Sequence, residues 1–404
     1  MAPKRILIFS LAYFPNHVGG AEVAIKEIVE RIPTHEYEFH MVCLRFDSTL
    51  PQVERVGNIL VHRIGFTKPN ASMADLRKFP LHLNKLLFQF LAAWKAMQLH
   101  RGYRYDAIWA MMAHSCGVPA AIFNIAYPKV PFLLTLQEGD PIDYIKKKMR
   151  PVYPLFVRAF RHATIIQAIS HFLGRWARDM GFQGNLVIVP NAVNTKHFSQ
   201  VYEMEDLDAL KKKLGKKEGD IYLITTSRLV TKNACDDVIR ALALLPPEYH
   251  FLILGIGPDE IMLRALAQKE GVADRTHFIG QVSHPEMPKY LKVSDIFIRP
   301  SLSEGMGNSF VEAMAAELPV IATQEGGIAD FLFDPEKNLD KPPTGRAVDP
   351  RDPEGIARAA EDIMNNKVLT PTMVANAKKL AFEKYDWDII ARDMHEQVFA
   401  RLFS

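Results

Sequence analysis

The chain has 404 residues, 48% hydrophobic and 24% charged, an ordinary globular composition that excludes a disordered or low-complexity protein and favours two domains over one. Its net charge of +3 hides an asymmetry: residues 1–200 hold 24 Lys and Arg against 13 Asp and Glu, a balance of +11, and the remainder balances at −8, so the two halves suit different partners. Cys43, Cys116 and Cys235 are too few and too scattered for a disulfide framework or a zinc pattern, which fits a reducing, cytoplasmic compartment.

The first apolar run, residues 5–10, is too short for a secretory segment and reads as a buried strand. Further strands are expected at 37–44, 59–64, 107–111, 131–136, 164–168 and 186–189, alternating with helical patterns in the manner of a parallel α/β fold. Gly19 and Gly20 open a helix after the first strand, where paired glycines either admit an anion close to the backbone or form a plain turn. Residues 79–97 are the most apolar stretch, but His82, Asn84, Lys85, Gln89 and Lys95 interrupt them, so no bilayer span is expected. The strand 131–136 ends in Gln137-Glu138-Gly139-Asp140, a polar cluster at a carboxyl edge, and Ser170 reads as a helix cap. Lys146, Lys147, Lys148, Arg150, Arg158 and Arg161 interleave with Phe156 and Phe160. That stretch is either a surface for anionic lipid or a solvated helix face over a core. After the turn Val189-Pro190-Asn191, the charged residues 201–220 read as a linker, giving domains 1–198 and 199–384 with a carboxy-terminal amphipathic helix at about 385–404.

In the second half, strands are expected at 221–226, 250–254, 276–279, 296–299 and 320–323. Arg228 and Lys232 follow the first of these and could neutralise a departing diphosphate, or form an internal salt bridge and a solvated charge. Gly255-Ile256-Gly257 reads as a tight turn. Gly280-Gln281-Val282 could present backbone groups to a nucleobase or belong to an ordinary connection. The most informative stretch is 295–315: a strand, the loop Glu304-Gly305-Met306-Gly307, then a helix beginning near Asn308-Ser309-Phe310. Backbone N–H groups of Asn308, Ser309 and Phe310 would point outward at the edge where open α/β sheets bind ligands, and Glu304 and Glu312 would flank the anion they hold. Ser309 and Glu312 also fit a capping box. No cluster with metal-ligand spacing occurs.

Gly-Gly after the first strand, Val-Pro-Asn at the linker, Arg228 with Lys232, and the pair Glu304 and Glu312 together resemble the retaining glycosyltransferases of family four, most specifically over residues 300–316. The resemblance implies a GT-B fold, with two facing Rossmann-like domains, parallel sheets and an interdomain cleft. It also implies that the tail crosses back to the first domain. On that resemblance Glu304 would bind donor-sugar hydroxyls and Glu312 the ribose. Arg228 and Lys232 would hold the diphosphate, helped by backbone of residues 305–310, and Gly19 and Gly20 would line the opposite wall. Where the family often has a histidine, this chain has Gln137, which cannot titrate. The phosphate-binding lysine of the family often lies further along, where Asn233 stands.

The implied activity is retaining transfer of a sugar from a UDP-, GDP- or ADP-sugar to a glycan, glycolipid or lipid-linked acceptor, with neither a permanent cofactor nor an essential metal. Peripheral contact with the inner face of an anionic membrane is the accompanying expectation. No nucleic-acid module accompanies the charge. The readings set beside it are a sugar-nucleotide epimerase of the same architecture and a non-catalytic sugar-nucleotide binder.

Overall fold

The computed structural model describes residues 2–15 and 19–403, and the chain divides into two compact units. Unit 1 comprises residues 2–191 and 387–403 as described, and unit 2 residues 192–386. Residues 201–220, expected as a linker, belong to unit 2 and hold the helix Met204–Leu214. That helix buries none of its side chains, and its composition therefore resembles a linker's. Lys289 on the helix Met287–Lys292 ties it down through Asp206 at 2.8 Å.

Unit 1 is built on an eight-stranded sheet: β1 Lys4–Phe9, β2 Tyr37–Leu44, β3 Val53–Val56, β4 Ile59–Ile64, β5 Ala107–Met111, β6 Phe132–Leu136, β7 Ile165–Ala168 and β8 Asn185–Ile188. The order is β3-β4-β2-β1-β5-β6-β7-β8, parallel except for β3. The central strands are buried on both faces, so they read as continuous apolar runs in the sequence. β3 is the strand the sequence reading missed. Its Val-Glu-Arg-Val is half charged and half exposed, which suits an antiparallel edge and weakens the apolar signal. The tail, Trp387–Asp393 followed by Met394–Phe399 and Ala400–Leu402, packs on unit 1, with Phe399 5.3 Å from Trp109 and Asp388 bonded to Arg31 at 2.8 Å.

Unit 2 has a wholly parallel six-stranded sheet: β9 Ile221–Thr226, β10 Tyr249–Leu254, β11 Thr276–Gly280, β12 Ile296–Arg299, β13 Val320–Ala322 and β14 Arg346–Ala347. Its order is β11-β10-β9-β12-β13-β14, and helices such as Cys235–Leu244 and Pro353–Asn365 bury Val238, Ile239, Ile356 and Ala360 against it. β14, only two residues long, was also missed. Because all these strands run the same way, the segments that follow them gather along one edge.

Candidate active site

At the carboxyl edge of unit 2 the loops bond to one another through their backbones. Leu229 N–H donates to Ile256 at 3.1 Å, Gly255 to Gly280 at 2.7 Å, Leu302 to Lys232 at 2.7 Å and Gly327 to Glu304 at 3.0 Å. Asn233 Nδ2 donates to the Arg228 carbonyl at 2.7 Å, bracing the loop that carries the two expected cations. The structure therefore links the loops of Arg228, Lys232, Gly257 and Glu304 in one rim.

Arg299 organises the centre of that rim. It is the last residue of β12 and only 7% exposed. Its Nη2 donates to Glu304 Oε2 at 3.0 Å, its Nη1 donates to Ser309 Oγ at 2.8 Å, and its guanidinium lies 4.3 Å from the centre of the Phe310 ring. One planar cation thus fixes the loop carboxylate, the first helical turn and an aromatic face. Among the described residues Glu304 Oε1 has no hydrogen-bond partner. Arg299 carried no role in the sequence reading. Its only signal was a lone charge closing an apolar strand.

The helix Asn308–Ala315 starts behind Gly307, whose φ of 91° is in the left-handed region; a Cβ there would lie 2.6 Å from the Phe310 ring and 2.9 Å from Arg299. Gly305 and Met306 are buried beneath the loop. The expected trio of outward N–H groups is reduced to two, because the Phe310 N–H donates to Gly307 at 3.2 Å and closes a tight first turn. The N–H groups of Asn308 and Ser309 have no acceptor among the described residues. The capping box is not formed: Gly307 is the cap, and Ser309 Oγ serves Arg299 instead. Glu312 sits largely buried with His284 Nε2 3.9 Å away. Burial pushes its carboxyl up to about 7, against the opposing pull of Arg299.

Arg228 is exposed and makes no ion pair among the described residues, which removes the internal salt-bridge alternative. Lys232 is half-buried in the same loop. Gly257 is where two loops meet closely, since a Cβ on it would fall 2.1 Å from the Leu229 carbonyl oxygen. Gln281 is exposed just after β11.

In unit 1, Gly19 caps the helix Gly20–Arg31, and its N–H donates to buried Glu22 at 3.0 Å. Gly20 is exposed, and a Cβ on it would meet nothing within 4 Å. Asn16, His17 and Val18, in the stretch that leads into this glycine pair, lie outside the described residues. Gln137 forms a reciprocal amide pair with Asn191, at 3.0 and 3.3 Å. Its neighbour Glu138 points inward, accepting from the Gln137 N–H at 3.0 Å and from the His114 N–H at 3.3 Å. The His114 ring lies 3.4 Å from the same carboxylate. His114, just past the end of β5, was not singled out from the sequence. A histidine directly after a strand was the available signal.

In the basic stretch the aromatic and the cationic members separate, with Lys147, Lys148 and Arg150 exposed. Phe156 and Phe160 are fully buried, with Phe160 edge-on to Trp176 at 5.0 Å, so the aromatic members face the core. Among the described residues no three His, Cys, Asp or Glu are grouped as a metal site.

Two Rossmann-like α/β units with parallel sheets define the GT-B class. Over 98% of this chain and 100% of the other, it is similar to the Anabaena protein HepE solved with UDP and glucose, with a TM-score of 0.76 and 20% identity. Residues 18–197 match the model described as Glycosyltransferase Family 4, and residues 206–380 match Glycosyl transferases group 1. The chain belongs to this family of glycosyltransferases and is a transferase enzyme. Its relatives include an alpha-monoglucosyldiacylglycerol synthase of Acholeplasma laidlawii, 29% identical over 83% of this chain and 84% of that one. Another is a D-inositol 3-phosphate glycosyltransferase of Streptomyces coelicolor, 24% identical over 96% and 90%.

Proposed function

We propose that the protein transfers a sugar, with retention at the anomeric carbon, from a nucleoside-diphosphate sugar to a lipid-linked or glycolipid acceptor. Unit 2 is the donor-binding unit in this reading. The N–H groups of Asn308 and Ser309 hold the distal phosphate at a helix start, where the dipole favours an anion. Arg228 and Lys232 balance the charge that grows on the leaving diphosphate, and Glu312 takes the ribose hydroxyls. Glu304 keeps Oε2 on Arg299 and offers Oε1 to a hydroxyl of the sugar. The bond from the anomeric carbon to the phosphate oxygen breaks, with its electron pair going to the diphosphate. The acceptor oxygen bonds to the same face of that carbon, and its proton passes to the released phosphate oxygen. Gln137, locked to Asn191, positions rather than titrates.

The observation that carries this reading is the Arg299 hub, which sets a half-free carboxylate beside two unpaired backbone donors. The UDP and glucose in HepE and the diacylglycerol in the name of the Acholeplasma relative support donor and acceptor classes. Thermal-shift comparison of UDP, GDP, ADP and their sugar conjugates identifies the donor, since a ligand of the folded state raises apparent stability. NMR of the anomeric centre in the product then tests retention. Inversion, or isomerisation of the donor without any acceptor, would reject the reading.

A further inference from the structure

The helix Leu83–Tyr103 is apolar on both sides. Its inner face buries Phe88, Ala92, Ala93, Ala96 and Leu99. Its outer face presents Leu86 (66% exposed), Phe90 (50%) and Trp94 (61%), with Leu91 beside them and Phe79 (75%) just before the helix. At 100° per residue, positions 86, 90 and 94 fall on one stripe over more than two turns. A helix on the surface of a water-soluble domain turns polar residues outward, so a contiguous exposed stripe of this kind marks a partner.

The charge around the stripe identifies that partner. Residues 76–105 contain Arg77, Lys85, Lys95, Arg101 and Arg104 beside Lys78, which pairs with Asp75 at 2.9 Å, and hold neither Asp nor Glu. Twofold pairing of this face with a second copy would bring like charges together, whereas anionic head groups complement them. Among the described residues no helix is long and apolar enough to cross a membrane. The inner face stays packed within unit 1, so only the outer stripe is available to a membrane surface.

We propose that the outer face of Leu83–Tyr103 docks on an anionic lipid bilayer, with Leu86, Phe90 and Trp94 inserted below the head groups and the flanking cations among them. This deepens the reading of a lipid-linked acceptor, because it holds unit 1 at the surface where such an acceptor resides. It is tested without donor or acceptor, so vesicle binding with no sugar transfer would sink only the activity, and transfer with no vesicle binding only the docking face.

The test is sedimentation of the full chain with phosphatidylcholine vesicles, with and without phosphatidylglycerol, at low and high salt. Trp109, Trp176 and Trp387 are buried, so a blue shift in emission and quenching by brominated lipid report on Trp94. The expected result is binding to the anionic vesicles only, weakened by salt, with Trp94 quenched. Phe90→Glu with Trp94→Glu, both at exposed positions, should lower partitioning at least about 10-fold while leaving transfer to a water-soluble acceptor unchanged. Absence of the wild-type chain from the anionic vesicles, or equal binding by the double variant, overturns the proposal. So does a wild-type dimer in sedimentation velocity that the double variant dissolves, which would make a second copy the occupant.

Discussion

Arg299 and Glu304 lie five residues apart in sequence and 3.0 Å apart in space, joined between Nη2 and Oε2 at the point where β12 gives way to its loop. Both are largely buried, so the pair is poorly screened by solvent and each partner depends on the other. Arg299→Ala should therefore cost about 3 kcal/mol of stability by stranding the carboxylate. Turnover should fall as well, because Ser309 and Phe310 lose their anchor. Urea unfolding and steady-state kinetics on the same preparation measure both; a stable variant would show the hub to be dispensable.

Arg228 offers the opposite case. It is exposed and without an ion pair among the described residues, so Arg228→Ala should change stability by less than about 0.5 kcal/mol. The same change should lower turnover by roughly 10²-fold, as the loss of a charge stabiliser does. Wild-type turnover in this variant would remove Arg228 from the site.

Glu312 gives a pH signature. Burial raises its folded-state value from 4.5 to about 7. Its stability contribution is thus fully present below pH 4.5 and is lost as pH rises through 7, amounting to at most about 3 kcal/mol. Glu312→Gln stays neutral throughout, so relative to wild type it should gain stability between those two pH values. Parallel stability curves for the two proteins would contradict the burial argument.

Gly326 is the clamp on the Glu304 loop. It has φ of 63°, and a Cβ there would lie 2.0 Å from the Glu304 carbonyl oxygen. Gly326→Ala should destabilise unit 2 by at least about 2 kcal/mol and displace Glu304. Reduced donor affinity by titration calorimetry, alongside the lower unfolding midpoint, is the expected pair of results.

Much of the architecture follows from local apolar runs. The buried strands β2, β4, β5, β9 and β12 appear in the sequence at the limits seen in the structure, because a strand covered on both faces must be apolar along its length. The start of the helix at Asn308 was legible for a similar local reason, a glycine-bearing loop before an amphipathic run. The half-charged β3 was not, since an edge strand tolerates polar residues on its open side.

What the sequence determined by itself was the class of fold, the alternation of its elements and the identity of the loops that follow the strands. Tertiary structure alone decided that Arg299 governs Glu304 and Ser309, that Glu138 turns inward to His114, that Phe156 and Phe160 are core, and that Phe90 and Trp94 are not. Periodicity records which side of a helix is apolar, but the neighbour that covers that side comes from distant parts of the chain. The direction of a long cation or carboxylate is likewise set by loops that meet only when the sheet has formed.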